Sequence, residues 1–573
     1  MEATRHRKTR TDPEEPPKLE DSNQDSDMSF KGIVNSFQSE VVIGDVVVFS
    51  GLSDSIENND NGGAVAMVET TPAAEISVIQ EDAAKTTPDV KGETTGSQEY
   101  FTVEEAIEHV GFGRFQLKMS AIICVIHMTD AGELMLLSML SPELHCEWNL
   151  AKWQQALITT VVFVGYLIAS PLWGMFADKF GRKKALIMVG FWIFTFGLYS
   201  SFSPNYAWML VTRGITGFGI GGAAQNVVLY SEFLPTKVRG FWLNIVSFSW
   251  IIGVLWVVGI ARLIMPVYGW RLLLIVAAMP LLLFITCCYF LPESAYYHAA
   301  CGNKEAALDI LNQLAKMNKK SLPKGELKVG AVSGADERGK LKDLFCDKET
   351  AITTSLLLFI WFSMAFVYYG ILLLTTELFA KGHSCTAQSV ENQFCFETCE
   401  SLTVTDYNHL IITTLAEVPG TILTIIIIDY LGRKRSMTLQ YICCAAAILM
   451  LEICFQKQIY LVILLFVARA FCTGAFQGIY VYTPEVYPTN VRGIGLGTCG
   501  SIARIGCIIT PFVAQVLLEY SPHGTIGLYG GVCILAAIAI ALLPIETKGR
   551  SMLSQVKEAT AVISETMHYS QMT

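Results

Sequence analysis

Two carboxylates stand three residues apart in an apolar stretch, Asp130 and Glu133 within CVIHMTDAGELMLL (124–137). Spacing i, i+3 puts both on one helix face. At 1.5 Å per residue, Asp130 lies roughly 16 Å beyond Met119, where the apolar run begins. An unpaired charge at that depth in a bilayer costs at least a few kcal/mol, so each group must face a cavity, a partner or water. The chemistry that fits is reversible binding of a proton or cation. The alternative is a structural ion pair to a neighbouring helix.

Arg504 in SIARIGCIITPF and Glu417 in LAEVPGTI are buried in similar runs. An arginine at mid-depth suits an anionic substrate through paired hydrogen bonds; otherwise Arg504 and Glu417 pair and hold two helices together. Pro419 and Gly420, just after Glu417, offer a local opening of the helix. Trp361, Tyr368 and Tyr369, with Gln477, Tyr480 and Tyr482, supply aromatic faces and polar tips for an organic solute, or simply pack.

These residues need membrane-spanning helices to position them. Hydrophobic residues make up 52% of the 573 and charged residues 16%, against roughly 25% charge in soluble domains. Twelve windows of spanning length lie near 119–140, 154–173, 186–202, 206–230, 241–265, 271–291, 352–374, 409–428, 436–455, 459–482, 494–518 and 524–543. A polar loop at 293–350, with one amphipathic helix at 303–320, divides them six and six.

The halves repeat. DKFGRK at 178 recurs as DYLGRK at 429, SEFLPTKVRG at 231 as PEVYPTNVRG at 484, and LPESA at 291 as LPIETKGR at 543. The offsets are 251, 253 and 252 residues, the mark of a pseudo-symmetric transporter with a site at the repeat interface. Arg213 and Arg469 occupy corresponding places in spans four and ten, which fits scaffold or gating roles. Lysine and arginine concentrate in alternate loops, including Lys179, Arg182, Lys183, Arg239, Arg433, Arg492 and Lys548, so both ends are expected in the cytosol.

The net charge of −10 belongs to the first hundred residues, which carry 20 Asp/Glu against 8 Lys/Arg. Residues 1–100 are expected to be a disordered acidic cytosolic tail, followed by a six-helix half (101–292), a cytosolic loop (293–350), a second half (351–550) and a C-terminal tail (551–573). No apolar segment near Met1 reads as a signal peptide.

GFGIGG (217–222) fits a dinucleotide fingerprint but lies inside a span, where small residues allow close helix packing. GADERGKL (334–341) approaches a phosphate loop but ends in Leu where Ser or Thr should meet magnesium. Neither metal nor cofactor is expected, nor is nucleic acid. Of 16 cysteines, Cys146, Cys385, Cys395 and Cys399 fall on the side away from the cytosol. An oxidising lumen permits two bridges there in any of three connectivities, or free thiols.

G-x-x-x-D-K-x-G-R-K from Gly174 to Lys183, its second copy and the paired E-x-x-P-x-x-x-R-G segments together resemble the major facilitator superfamily, over about 101–550. The PES and PIETKGR endings place the resemblance near its sugar and organic-ion porters. VEEAIEHVGFGRFQ, SPELHCEW, VYYGILLLTTELF and VYTPEVYPTNVRG look closer still to its synaptic-vesicle branch. The glycoproteins of that branch carry a long glycosylated loop between spans seven and eight. Here that loop is short, and no N-x-Ser/Thr occurs anywhere.

The resemblance implies an all-α fold of twelve spans in two halves that rock about a central site, in a vesicle membrane. It implies gating by Gly174, Asp178, Gly181, Arg182, Arg213, Glu232 and Arg239, and by Asp429, Gly432, Arg433, Arg469, Glu485 and Arg492. Organic-anion porters that resemble this chain carry arginine at the place of Arg504. The expected function is secondary transport of a small organic ion, with a coupling proton or cation; Asp178 and Asp429 are expected to latch the cytosolic side when it closes. The rival is a vesicle receptor or trafficking protein that keeps the fold without transport, its tail holding cytosolic partners.

Overall fold

A computed structural model describes residues 100–328, 341–380, 402–453 and 458–548. Most of the acidic tail, the phosphate-loop-like segment and Cys385, Cys395 and Cys399 lie outside these described residues. Among them, nine helices are long and apolar enough to cross a membrane.

The helices run in chain order as follows. A short α1 (Val103–Val110) precedes α2 (Arg114–Trp148), α3 (Lys152–Phe180) and α4 (Arg182–Ser201). The fourth span is broken into α5 (Tyr206–Ile220) and α6 (Gln225–Ser231). The segment α7 (Thr236–Cys287) is two helices, the fifth and sixth spans, joined by a kink at Gly269, where φ is +73° and the backbone is not helical. At 1.5 Å per residue the arm before Gly269 is about 50 Å long and the arm on to Phe290 about 30 Å, so each can cross a bilayer core of about 30 Å.

After α8 (Ala295–Ala300) and the amphipathic α9 (Lys304–Met317), the second half begins with α10 (Lys348–Ala380). Its eighth span is α11 (Val404–Leu415) plus α12 (Glu417–Leu431), interrupted at Ala416 beside the Pro419–Gly420 pair. Then come α13 (Arg433–Leu449), α14 (Gln458–Val486), α15 (Thr489–Pro511) and α16 (Pro522–Ala541). The broken fourth span and the 17-residue α13 are too short to count alone as crossings, yet they fall where the apolar windows place spans four and nine.

The GFGIGG run does pack helices. A Cβ on Gly217 would overlap the backbone of Val162 in α3, and one on Gly420 would overlap Ala470 in α14. Strand β1 (Tyr100–Phe101) pairs in parallel with β2 (Glu326–Leu327), and Asn318 accepts from the Phe115 N–H at 3.0 Å. The start of the described chain is thereby tied to the loop between the halves.

Candidate functional site

The three repeated motifs of each half meet in one cluster. In the first half, Arg182 lies 2.8 Å from Asp178 and 3.3 Å from Glu232, while Glu293 accepts the Lys183 N–H at 3.0 Å. In the second, Arg433 lies 3.9 Å from Asp429 and 3.1 Å from Glu485, and Glu546 accepts the N–H groups of Arg433 (2.8 Å) and Lys434 (3.1 Å). Glu293 and Glu546 therefore cap the first turns of α4 and α13, where anionic oxygen meets the positive helix end. Arg239 and Arg492 donate to the carbonyls of Leu234 and Tyr487, again in matching fashion. Burial pushes the Glu232 carboxyl up, and Arg182 opposes that shift. Asp178 and Asp429 each pair inside their own half.

Two glycines make room for these caps. Gly181 and Gly432 have φ of +105° and +87°, and a Cβ on Gly432 would sit 2.8 Å from the Glu546 carboxyl carbon. Gly432→Ala is expected to cost about 1–3 kcal/mol through backbone strain and the displaced cap. Its midpoint of thermal inactivation in detergent should fall by several degrees; an unchanged midpoint would remove the cap from this account.

A cavity lies between the halves, with roughly 1550 Å³ of empty space including its mouth. Its wall takes His127, Asp130 and Leu134 from α2, Tyr166 from α3, Trp250 from α7, Tyr368 and Tyr369 from α10, Glu417 from α12, Gln477 and Tyr480 from α14 and Arg504 from α15. It continues along α12 to Asp429 and Arg433, about 18 Å from Glu417 at 1.5 Å per residue. The cavity thus opens at the face that carries the basic patches.

The cavity separates the candidate charges. Asp130 lines it, whereas Glu133 turns away to Arg213 at 2.9 Å, both almost fully buried. Glu417 pairs with Arg469 at 2.9 Å, not with Arg504. Tyr368 also donates to Glu417 (3.1 Å) and accepts the Trp250 N–H (3.0 Å) from the other half. Arg504 donates to the Tyr166 hydroxyl at 2.7 Å, its guanidinium 3.9 Å from the centre of that ring. Trp361 is outside the cavity wall, fully buried and bonded to Thr483, and Tyr482 donates to the Ile545 carbonyl.

At the opposite face the halves are bolted together. Glu377, near the end of α10 and 2% exposed, accepts from Gln155 of α3 at 2.5 Å and from Gln515 at 3.2 Å, with Lys152 3.8 Å away. Gln515 also donates to Ser141 of α2 at 2.9 Å, and Arg262 bonds Asn408 at 2.6 Å across the same divide. Cys146, on this face, is disulfide-bonded, and no other described cysteine is in a disulfide. Glu377, Gln155, Gln515, Tyr166 and His127 were not among the residues expected from sequence.

The family model described as sugar (and other) transporter matches residues 127–558. The chain belongs to that family. Its members are transporters of the major facilitator type, which accounts for the two halves, the central cavity and the repeated patches. A synaptic vesicle 2-related protein from Rattus norvegicus is 49% identical over 79% of this chain and 82% of its own length. The putative transporter svop-1 of Caenorhabditis elegans is 46% identical over 80% of this chain and 88% of its own. Among solved structures, the inward open conformation of the xylose transporter XylE from E. coli aligns with a TM-score of 0.60 at 17% identity, covering 78% of this chain and 99% of that one. That last likeness is one of fold.

Proposed function

We propose that this transporter moves a small organic anion by alternating access, coupled to a proton or cation, across a vesicle membrane with the patch face in the cytosol. The observation that carries the reading is a cavity between the halves, open at the patch face, bolted at the opposite face, with Arg504 in its wall. Arg504 offers a planar donor fork to a carboxylate or phosphate group, and a solute taking that fork displaces the Tyr166 hydroxyl from the other half. Asp130 in the same wall is the coupling candidate. Glu133, held by Arg213, is assigned to the scaffold. The vesicle location is supported by the name of the rat relative, and the cytosolic patch face by the distribution of Lys and Arg.

The test is uptake into proteoliposomes from a panel of organic acids, amines and sugars, with and without a pH gradient. An acid should accumulate. Arg504→Gln should lower its uptake about 10- to 100-fold, the worth of a charge-assisted hydrogen bond of about 1.5–3 kcal/mol. Asp130→Asn should remove the dependence on the gradient. If no solute moves, or if amines move and Arg504→Gln changes nothing, the anion reading falls.

A further inference from the structure

A second groove lies at the patch face on the outside of the first half. The start of α2, the start of α4, the chain just past the end of α7 and the flank of α9 that carries Asp309, Ile310 and Gln313 enclose it. Its floor is apolar, with Ile122, Ile310 and Met317. At its edge Tyr289 and Phe290 are 82% and 61% exposed, an arrangement suited to the depth where a bilayer meets water.

Two lysines converge on that edge. The Lys118 ammonium sits 5.0 Å from the centre of the Phe290 ring, and the Lys183 ammonium reaches the Tyr289 carbonyl at 3.5 Å. His298 adds a third nitrogen base to the wall. Two carboxylates share the lining, and neither forms an ion pair with these lysines. Glu293 accepts from the backbone of Lys183 and Ser294, both at 3.0 Å, and Asp309 accepts from Gln313 at 3.0 Å.

We propose that this groove binds one anionic phospholipid from the leaflet at the patch face. The phosphate sits between Lys118 and Lys183, and an acyl chain lies along the apolar floor. Basic pockets between spanning helices suit such headgroups, and exposed aromatic side chains with an apolar floor give a lipid what free phosphate has no use for. The leaflet is cytosolic if the proposed orientation holds, but binding itself requires neither that orientation nor transport.

The test is native mass spectrometry of the full chain after incubation with phosphatidylserine or phosphatidylcholine vesicles. Phosphatidylserine should be retained in preference. Lys118→Gln with Lys183→Gln should reduce that retention about 25-fold, about fivefold per lysine. Lys316→Gln with Lys320→Gln removes as much charge from nearby exposed positions outside the groove, and should leave retention unchanged. If the first pair does not fold, Lys118→Gln alone is read against the fivefold expectation. Equal loss from both pairs, displacement of the lipid by inorganic phosphate, or wild-type retention by the Lys118 variants would each overturn the proposal.

Discussion

Glu377→Ala is expected to open the face opposite the basic patches and raise the reactivity of a cysteine beneath it by about 100-fold. Glu377 accepts amide N–H groups from Gln155 in one half and Gln515 in the other, with Lys152 nearby. Each such bond to a buried carboxylate is worth about 1.5–3 kcal/mol. The Gln155 and Lys152 contacts span the divide between the halves, whereas Gln515 lies in the same half as Glu377, so a state open at that face must break the first two. Their loss therefore counts in full against the closed arrangement. Losing about 3 kcal/mol shifts the equilibrium about 100-fold.

Ser138 lies one turn below Ser141 on α2, between this bolt and the cavity residue Leu134, and is fully buried. Ser138→Cys, probed from that face with an impermeant maleimide against the same background without it, reads the opening directly. Glu377→Gln keeps the shape and loses the charge, so it should fall between wild type and alanine. Equal labelling with and without Glu377 would mean that another contact holds this face shut.

Glu377 also shows where sequence reading stops. It sits in VYYGILLLTTELF, a stretch already singled out, but near a helix end, where a charge is unremarkable. Depth drew attention to Asp130, Glu133, Glu417 and Arg504 because mid-span charge is costly. Depth does not give azimuth. Each residue turns the helix by about 100°, so which neighbour a side chain meets depends on packing between helices far apart in sequence. Glu417 meets Arg469 rather than Arg504 for that reason, and Glu133 and Asp130 part company three residues apart.

Repetition was far more legible. Windows of apolar residues placed every span, because a bilayer accepts backbone in its core only when its polar groups are satisfied within helices. The recurring DxxGRK, E-x-x-P and PES/PIET segments marked six places that matter. Their assembly was invisible, since nothing in the spacing says that Glu546 caps α13 or that Arg433 reaches Glu485. Tyr166 and Trp250 were missed because an aromatic in a span reads the same whether it packs or bridges.

The buried pairs give the other large effect, and here the two halves are expected to differ. Arg469→Ala leaves Glu417, 0% exposed, without its countercharge, and should cost about 3–5 kcal/mol. Glu417→Ala with Arg469→Ala leaves neither charge buried and should regain most of that stability. Arg213→Ala, and Glu133→Ala with Arg213→Ala, should behave alike, since Glu133 is 4% exposed and Arg213 1%. The monodisperse fraction surviving heat in detergent measures all four. Transport separates the pairs. Glu417 lines the cavity and orients Tyr368, which in turn accepts the Trp250 N–H from the other half. Its double variant should fold and remain transport-dead. Glu133 is outside the cavity wall, so its double variant should fold and still move solute. Uptake lost equally in both double variants would return Glu133 to the coupling machinery beside Asp130. Uptake kept in both would place Glu417 in the scaffold, leaving Asp130 and Arg504 as the charges that the solute meets.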